Sequence, residues 1–262
     1  MVLTQERQSL IRGKLETAGR VLAGELAQEF AVSEDTIRRD LRELAAEGVC
    51  ERVYGGALLR APARPFAERV GEKQPLKARF GAEIARRLPE GGFVFIDAGS
   101  TNLAVAEAIG RGRTMTVMTN APAIAATLVH SSDVELILAG GAVNRKLGGT
   151  LDARAVASLE GIYPDMFVLG TCGIVAGEGM FASQAEEQFF KSRVAERSRR
   201  VITAADAEKF TCSAPYRIAP FSPDITLLVE DGSPGELTKI AAAGTEIVRL
   251  DDMSGRATNE QH

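Results

Sequence analysis

The chain contains a loop whose residue types suit a small anionic ligand. In the stretch Asp97-Ala-Gly-Ser-Thr-Asn102 an acid ends a predicted strand, Gly99 turns the chain, and Ser100 and Thr101 open a predicted helix. The dipole and the unpaired N–H groups of a helix N-terminus attract an anion such as phosphate. Asp97 is better suited to accept hydrogen bonds from ligand hydroxyls than to face a phosphate. The loop has neither a Walker A ending nor a G-x-G-x-x-G sequence, so we expect no nucleotide and no other cofactor.

Further polar residues follow other predicted strands. The pairs Thr119-Asn120 and Gly140-Gly141 are weak signals, because Asn and Gly mark ordinary turns more often than ligand sites. Lys209, in the turn Asp206-Ala-Glu-Lys-Phe210, is either a solvated charge or a point charge that neutralises a phosphate. Glu187 and Lys191 stand four residues apart on a predicted helix, where both a surface ion pair and a ligand site are open.

A second group of candidate residues lies on a predicted helix that begins after Ser33 and stops at Gly48. Its apolar residues Ile37, Leu41 and Leu44 form one stripe. This stripe must pack against the two preceding helices. At about 100° per residue, three arginines point away from that stripe: Arg38, Arg39 and Arg42. A short preceding helix, from about Leu22 to Phe30, and a tight corner complete a helix-turn-helix, whose third helix enters the DNA major groove.

The stretch after Gly48 predicts a small wing. Residues 49–53 read as a strand that returns through the Gly55-Gly56 turn, and Arg52 is placed to touch the DNA backbone. The alternative is that the arginines form a solvated helix face laced with Glu and Asp. The helix count, the corner, the outward arginines and the wing together favour DNA binding.

The segment VSEDTIRRDLRELAAEGVCERVYGGA resembles the signature of the DeoR family of bacterial regulators, a V-S-x-x-T-I-R-R-D-L core and a wing ending in G-G. Tyr54 stands where the family often has histidine. The resemblance implies that the following residues face DNA: Ser33, Thr36, Arg38 and Arg39, supported by Arg42 and Arg52.

The rest of the chain also resembles the DeoR family, in the same order of motifs, over roughly residues 4 to 231. This resemblance implies a domain similar to ribose-5-phosphate isomerase and CoA-transferase folds that binds a phosphorylated sugar. The implied effector residues are Lys77, Asp97, Gly99, Ser100, Thr101, Thr119, Asn120, Gly140, Gly141, Cys172, Glu187, Lys191, Asp206 and Lys209. The sequence departs from the family at Cys172, where many relatives carry Asp, at Asp152, where Gly is frequent, and at Glu208, where Ser is common.

The larger domain is expected to be a doubly wound α/β fold, because buried-type apolar runs alternate with helices. The runs are 93–96, 116–118, 134–138, 167–169, 201–203, 225–229 and 247–250. Ligands of such sheets bind beyond the carboxyl ends of the strands. We expect a winged helix-turn-helix over residues 1–57, a linker over 58–75, a sensing domain over 76–255 and a tail over 256–262.

Composition narrows the class of protein. The 262 residues carry a net charge of −4, so no global positive field indicates nucleic acid, and a purely architectural DNA-binding protein is disfavoured. Two histidines and three cysteines without a Cys-x-x-Cys pair argue against a metal site, histidine catalysis and a disulfide framework. No signal peptide or membrane helix is recognisable, and we expect a cytoplasmic protein.

These observations favour a DNA-binding repressor of a carbohydrate-metabolism operon, whose affinity for double-stranded operator DNA is set by a phosphorylated sugar. We expect a homodimer or homotetramer, because one winged domain contacts about half an operator. The rival hypothesis is a sugar-phosphate isomerase that uses Asp97 and Lys209. An enzyme has no evident use for the arginine-bearing N-terminal domain.

Overall fold

The computed structural model describes residues 3–18, 20–53, 55–59, 64–110, 112–212, 214–230 and 237–250. Hydrophobic residues of the first 60 positions form one core cluster, and those of the larger part of the chain form two more. The latter two lie on opposite faces of one sheet.

The N-terminal unit has the elements of a winged helix-turn-helix. They are α1 (Thr4–Ala18), β1 (Arg20–Leu22), α2 (Ala23–Glu29), α3 (Glu34–Ala46), β2 (Cys50–Val53) and β3 (Gly56–Leu59). The strands form an antiparallel sheet in the order β1-β3-β2, so the wing hairpin pairs with a third strand that the sequence did not predict. The predicted helix from Leu22 is wrong at its start, because Leu22 ends β1 and is 42% exposed.

Helix α3 begins and ends as its sequence predicts. The Ser33 side chain accepts a hydrogen bond from the Thr36 N–H at 3.2 Å, and Gly48 ends the helix region with a φ of 78°. Ile37 and its two stripe partners are buried, as expected. A buried ion pair, 2.5 Å between Arg7 Nε and Asp40 Oδ2, also joins α1 to α3.

The larger part of the chain is the expected doubly wound α/β domain. Its seven-stranded parallel sheet has the order β15-β14-β12-β9-β4-β5-β6. The helices are α4 (Phe66–Val70), α5 (Gln74–Arg87), α6 (Ser100–Ala108), α7 (Pro122–Leu128), α8 (Ala153–Ala157), α9 (Ala185–Arg197) and α10 (Leu237–Ala242). The sheet strands are β4 (Phe93–Ile96), β5 (Met115–Thr119), β6 (Val134–Leu138), β9 (Met166–Leu169), β12 (Val201–Ala205), β14 (Ile225–Val229) and β15 (Glu246–Arg249). All seven predicted runs coincide with these strands to within two residues.

Two smaller sheets complete the domain. β7 (Val143–Asn144) pairs with β8 (Gly149–Thr150), and an antiparallel sheet has the order β10-β11-β13, with β10 (Gly173–Val175), β11 (Gly179–Ala182) and β13 (Tyr216–Ala219). A 3₁₀ turn, Ala207–Phe210, follows β12.

Alternation along the strands explains why helices cover both faces of the sheet. In β4, Val94 and Ile96 belong to one buried cluster and Phe95 belongs to the other. Since neighbouring side chains of a strand point to opposite faces, a strand buried on both faces needs an unbroken apolar run.

Helix α4 lies within the stretch 58–75 that the sequence suggests as a linker. The Phe66 N–H donates to the Lys146 carbonyl at 2.9 Å. Gly148, with a φ of 83°, makes room for the Phe66 ring, because a Cβ there would lie 2.5 Å from a ring carbon. Helices α5 and α6 also approach closely, since a Cβ at Gly81 would lie 2.5 Å from the Ala104 carbonyl oxygen.

Candidate effector pocket and DNA-facing helix

A cavity of about 380 Å³ opens beyond the carboxyl ends of the strands. It is of the size that small-molecule sites have in proteins, about 300–1,000 Å³. The structure brings ten of the residues predicted to bind the effector to its wall: Lys77, Asp97, Gly99, Ser100, Thr101, Cys172, Glu187, Lys191, Asp206 and Lys209.

Four other predicted effector residues do not line this cavity: Thr119, Asn120, Gly140 and Gly141. Asn120 instead accepts a hydrogen bond from the Ala98 N–H at 2.9 Å and donates to the Thr150 carbonyl at 3.2 Å. Thr119 donates to the Ile96 carbonyl at 2.6 Å. These two side chains hold the loop after β4 in place, so their contribution to the pocket is structural.

The Gly140-Gly141 pair has a different local function. Gly141 has a φ of 130°, and a Cβ there would collide with the Asp152 carboxylate. That carboxylate caps α8 by accepting from the Ala155 N–H and also accepts from the Ala142 N–H at 2.9 Å. These hydrogen bonds hold the pKa of Asp152 below its ordinary value. Asp152 therefore supports a turn whose backbone only glycine adopts readily.

Lys191 lies at the base of the cavity between two carboxylates. Its Nζ is 2.6 Å from Glu187 Oε1 and 3.0 Å from Asp97 Oδ2, and it donates to the Gly170 carbonyl at 2.5 Å. All three side chains are at least 96% buried. The interpretation of Glu187 and Lys191 as a surface ion pair is wrong, because α9 turns that pair toward the end of β4.

Burial and charge set the pKa values of this buried triad, defined as Asp97, Glu187 and Lys191. Burial raises the pKa of Asp97, and the nearby Lys191 ammonium does not fully offset that effect. Burial also raises the pKa of Glu187, but Lys191 and hydrogen bonds from Ser183 outweigh burial and bring this pKa below its ordinary value. The pKa of Lys191 lies above its ordinary value, because its two carboxylates outweigh burial. Lys191 is therefore a fixed cation.

The two carboxylate oxygens of Asp97 differ in their hydrogen-bond partners. Its Oδ2 atom forms the ion pair with Lys191 and accepts a hydrogen bond from the Gly170 N–H at 3.1 Å. Its Oδ1 atom is buried and has no hydrogen-bond partner among the residues that the structure describes. A buried acceptor without a hydrogen-bond partner lowers the stability of the fold. Cys172 adds a thiol to the same wall, 3.5 Å from Glu187 Oε1.

Basic side chains line the same cavity as the N-terminus of α6. Lys77 and Lys209 line the cavity as predicted, and Arg69 of α4 joins them. Lys77 donates to the Arg69 carbonyl. Burial lowers the pKa of Lys77, Glu72 opposes this, and the positive charges of Arg69 and Lys209 lower it further. Such mutual repulsion among cations in one cavity is relieved by an anion.

Sequence reasoning missed four charged residues of the cavity wall, Arg64, Arg69, Glu72 and Lys73, and noted Glu208 only as a departure from the family. The first four lie in the proline-rich stretch 58–75, which has no clear hydrophobic period. The signal that could have found them is the close spacing of basic residues before Lys77.

The outward face of α3 is exposed, as the DNA-binding interpretation requires. Arg38 is paired with Glu34 at 2.7 Å and with Asp35 at 3.0 Å. Arg39 and Arg42 are exposed and make no hydrogen bond or ion pair with any described residue, and Arg52 on the wing is likewise exposed. The Ser33 and Thr36 side chains contact each other at the start of the helix. Tyr54 lies outside the described residues.

Family comparisons agree with this arrangement. Residues 7–62 match the DeoR-like helix-turn-helix domain, and residues 72–232 match the DeoR C terminal sensor domain. The chain belongs to the DeoR family. This DeoR-family chain is 31% identical over 224 residues to the glycerol-3-phosphate regulon repressor of Escherichia coli K12, covering 85% of this chain and 88% of that protein. It is 29% identical over 251 residues to the putative aga operon transcriptional repressor of Escherichia coli O157:H7, covering 94% and 93%.

Among solved structures, the DeoR-family chain is similar to ribose 5 phosphate isomerase A from Neisseria gonorrhoeae, with 16% identity over 53% of this chain and 54% of that one, at a TM-score of 0.36. It is also similar to the sorbitol operon regulator SorC from Klebsiella pneumoniae, with 12% identity over 77% and 88%, at a TM-score of 0.32. Within the described ranges, no helix is both long enough and apolar enough to cross a membrane.

Proposed function

We propose that this DeoR-family regulator represses a carbohydrate-metabolism operon, and that a phosphorylated sugar in the cavity controls its affinity for operator DNA. The observation that carries the proposal is a single cavity with one part suited to a phosphate and another suited to a sugar hydroxyl. Unpaired cations and a helix N-terminus suit a phosphate, and the unpartnered Asp97 Oδ1 suits a hydroxyl.

In this proposal the phosphate binds at the first turn of α6. The first N–H groups of a helix lack intrahelical partners, and Gly99 brings no side chain between them and the cavity. Lys77 and Lys209 supply charge from α5 and from the turn after β12. The sugar then lies over the buried triad, where Asp97 accepts from one hydroxyl.

The buried triad favours binding over catalysis. Isomerisation of a sugar phosphate needs a carboxylate that is free to move a proton between neighbouring carbons. Both oxygens of Glu187 are occupied, by Lys191 and by Ser183, so Asp97 alone could serve as that carboxylate, and its Oδ2 already accepts from Lys191 and the Gly170 N–H. The similarity of the chain to a repressor, 31% identical over 224 residues, also supports a regulator. We therefore propose that the chain is not an enzyme.

The test is operator binding titrated with glycerol 3-phosphate and a panel of hexose and pentose monophosphates. A ligand at 100 times its dissociation constant stabilises the fold by about 2.7 kcal/mol, so thermal shift identifies the ligand first. Lys209→Ala is expected to bind operator normally without ligand and to lose most of the response. Lys239→Ala, the same change at an exposed position of α10, is the control.

Two results would count against the proposal. A Lys209→Ala protein that responds as the wild type does would place the phosphate elsewhere. Turnover of any panel ester would restore the isomerase hypothesis. Asp97→Asn is expected to change which sugar is accepted more than whether a phosphate is bound, which separates the two halves of the cavity.

A further inference from the structure

Among the described residues, three ion pairs connect the stretch before α5 to the turn after β12 at the cavity wall, and a fourth lies within the stretch before α5. Lys73 Nζ is 2.7 Å from Asp206 Oδ2 and 2.8 Å from Glu208 Oε1. Arg64 is 2.7 Å from Glu72 Oε1 and 3.6 Å from Glu208 Oε2. Glu208 thus contacts both Lys73 and Arg64. We call these five side chains the neutralised cluster.

The cavity wall also has cations without a carboxylate partner. In the part of the chain that the structure describes, Arg69, Lys77 and Lys209 form no ion pair with an acid, and all three line the cavity. The charges of Arg69 and Lys209 act on Lys77, and all three line the same cavity as the α6 N-terminus, so negative charge is needed on this part of the wall. The neutralised cluster is a place where negative charge is already supplied.

The balance of charge limits how many phosphoryl groups the cavity accommodates. Six basic and five acidic side chains of the described residues line it. One phosphate monoester carries about −1.5 to −2 charge, which suits the three unpaired cations. A second phosphoryl group would meet cations whose charge Glu208, Asp206 and Glu72 already cancel, and like-charge repulsion in a partly enclosed cavity is strong.

We propose that the effector carries a single phosphate group, and that Glu208 is the specificity-determining residue that excludes bisphosphates by holding Lys73 and Arg64. This inference rests on the proposed function, because it assigns a ligand class to the same cavity. Glu208 is the acid that can be changed most cleanly. Its side chain is 59% exposed and contacts the two cations, whereas Asp206 also caps the 3₁₀ turn through the Lys209 N–H.

The experiment compares wild type and Glu208→Gln with matched esters. The pairs are fructose 6-phosphate with fructose 1,6-bisphosphate and glucose 6-phosphate with glucose 1,6-bisphosphate, each at constant ionic strength. Wild type is expected to bind each monophosphate at least about tenfold more tightly than its bisphosphate. Glu208→Gln is expected to bind the bisphosphate about tenfold more tightly than wild type does, with the monophosphate changed less than about twofold.

A second experiment uses inorganic phosphate, so its result does not depend on the sugar. The dependence of melting temperature on phosphate concentration counts bound ions, because stabilisation follows RT ln(1 + [L]/Kd) for each site. Wild type is expected to bind one phosphate in the cavity and Glu208→Gln a second. Adding Lys73→Met to Glu208→Gln should remove that second site, and Glu160→Gln, an exposed acid outside the cavity, should behave as wild type.

The outcomes separate this inference from the proposed function. If wild type binds neither inorganic phosphate nor any ester, the proposed function fails. If wild type binds monophosphates but binds a matched bisphosphate as tightly, or if Glu208→Gln still binds one phosphate and keeps the wild-type preference, the assignment of Glu208 is overturned and the proposed function stands.

Discussion

Among the arginines of α3, Arg39 is the most direct test of DNA recognition. Arg38 is held by two acids of its own helix, whereas Arg39 is exposed and makes no hydrogen bond or ion pair with a described residue. A guanidinium that is free before binding does not have to break an ion pair in order to reach a base edge or a phosphate.

Arg39→Ala is expected to weaken operator binding by about 1–3 kcal/mol if the side chain reads a base, with folding unchanged. Titrations of operator DNA across a salt series measure the loss of affinity. The control is Arg249→Ala, because Arg249 is an exposed arginine of β15. A change in salt slope alone, with specificity kept, would make Arg39 a phosphate contact. Equal affinities at every salt concentration would remove it from the interface.

Lys191 tests the buried triad. Lys191→Met leaves Asp97 and Glu187 buried without their cation, and breaking such a pair costs about 3–5 kcal/mol. Chemical denaturation measures the loss, and Lys239→Met on the exposed face of α10 is the control. A loss below that of an ordinary surface substitution would contradict the burial of the triad.

The loss in Lys191→Met should depend on pH. The folded pKa of Glu187 lies below its ordinary value of 4.5, so its contribution to stability is present above that pH and is lost as pH falls. Asp97 has a raised folded pKa, so its effect has the opposite sign, and stability is lost as pH rises through that pKa. Without Lys191 the pKa of Asp97 rises further, so the variant regains stability as pH falls from 7, before the wild type loses the contribution of Glu187. The gap between variant and wild type is therefore expected to be largest near pH 7 and to narrow toward pH 4.5. Equal gaps at both pH values would argue against this account.

At the scale of elements, the first turn of α6 is the part of the cavity that backbone geometry defines. Gly99 has an extended backbone, with a φ of 165°, that any residue adopts, and a Cβ there would lie 3.8 Å from Asn102 in ordinary contact. A methyl group is therefore tolerated by the fold, although under the proposed function it would stand in the path of the phosphate.

Gly99→Ala is expected to change stability by less than about 0.5 kcal/mol. Affinity for inorganic phosphate should fall about tenfold, a loss of about 1.4 kcal/mol. Calorimetric titration and denaturation give the two numbers. Gly110→Ala, near the other end of α6, is the control, since a Cβ there meets nothing within 4 Å. Unchanged phosphate binding would move the anion away from α6.

At the scale of the whole molecule, the N-terminal unit presents one recognition helix. Helix-turn-helix proteins generally occupy two half-sites through two-fold symmetry. We therefore predict a homodimer or homotetramer in solution, with an operator that contains an inverted repeat. Light scattering at micromolar concentration, with and without operator DNA, measures the mass. A monomer under both conditions would count decisively against the prediction.

Local signals in the sequence determined α3, the seven strands of the parallel sheet and ten of the residues that line the cavity. The Ser33 cap and the stripe that begins at Ile37 were sufficient to predict α3 and its outward arginines, because capping and helical period act within a few residues. Apolar runs predicted all seven strands of the parallel sheet, and the residues after β4 predicted an anion site at α6. Each of these depends on interactions between near neighbours in the chain.

Only the tertiary structure decided which of the candidate residues share the cavity. Spacing of four residues places Glu187 and Lys191 on one helix face, but the packing of α9 against the sheet decides that this face is buried beside Asp97. Asn120 follows a strand as the other candidates do, but its side chain forms hydrogen bonds with Ala98 and Thr150 and does not line the cavity. Lys73 reaches Asp206 across 133 positions of sequence. Contacts over such separations depend on strand order and helix packing, which local period and residue type do not encode.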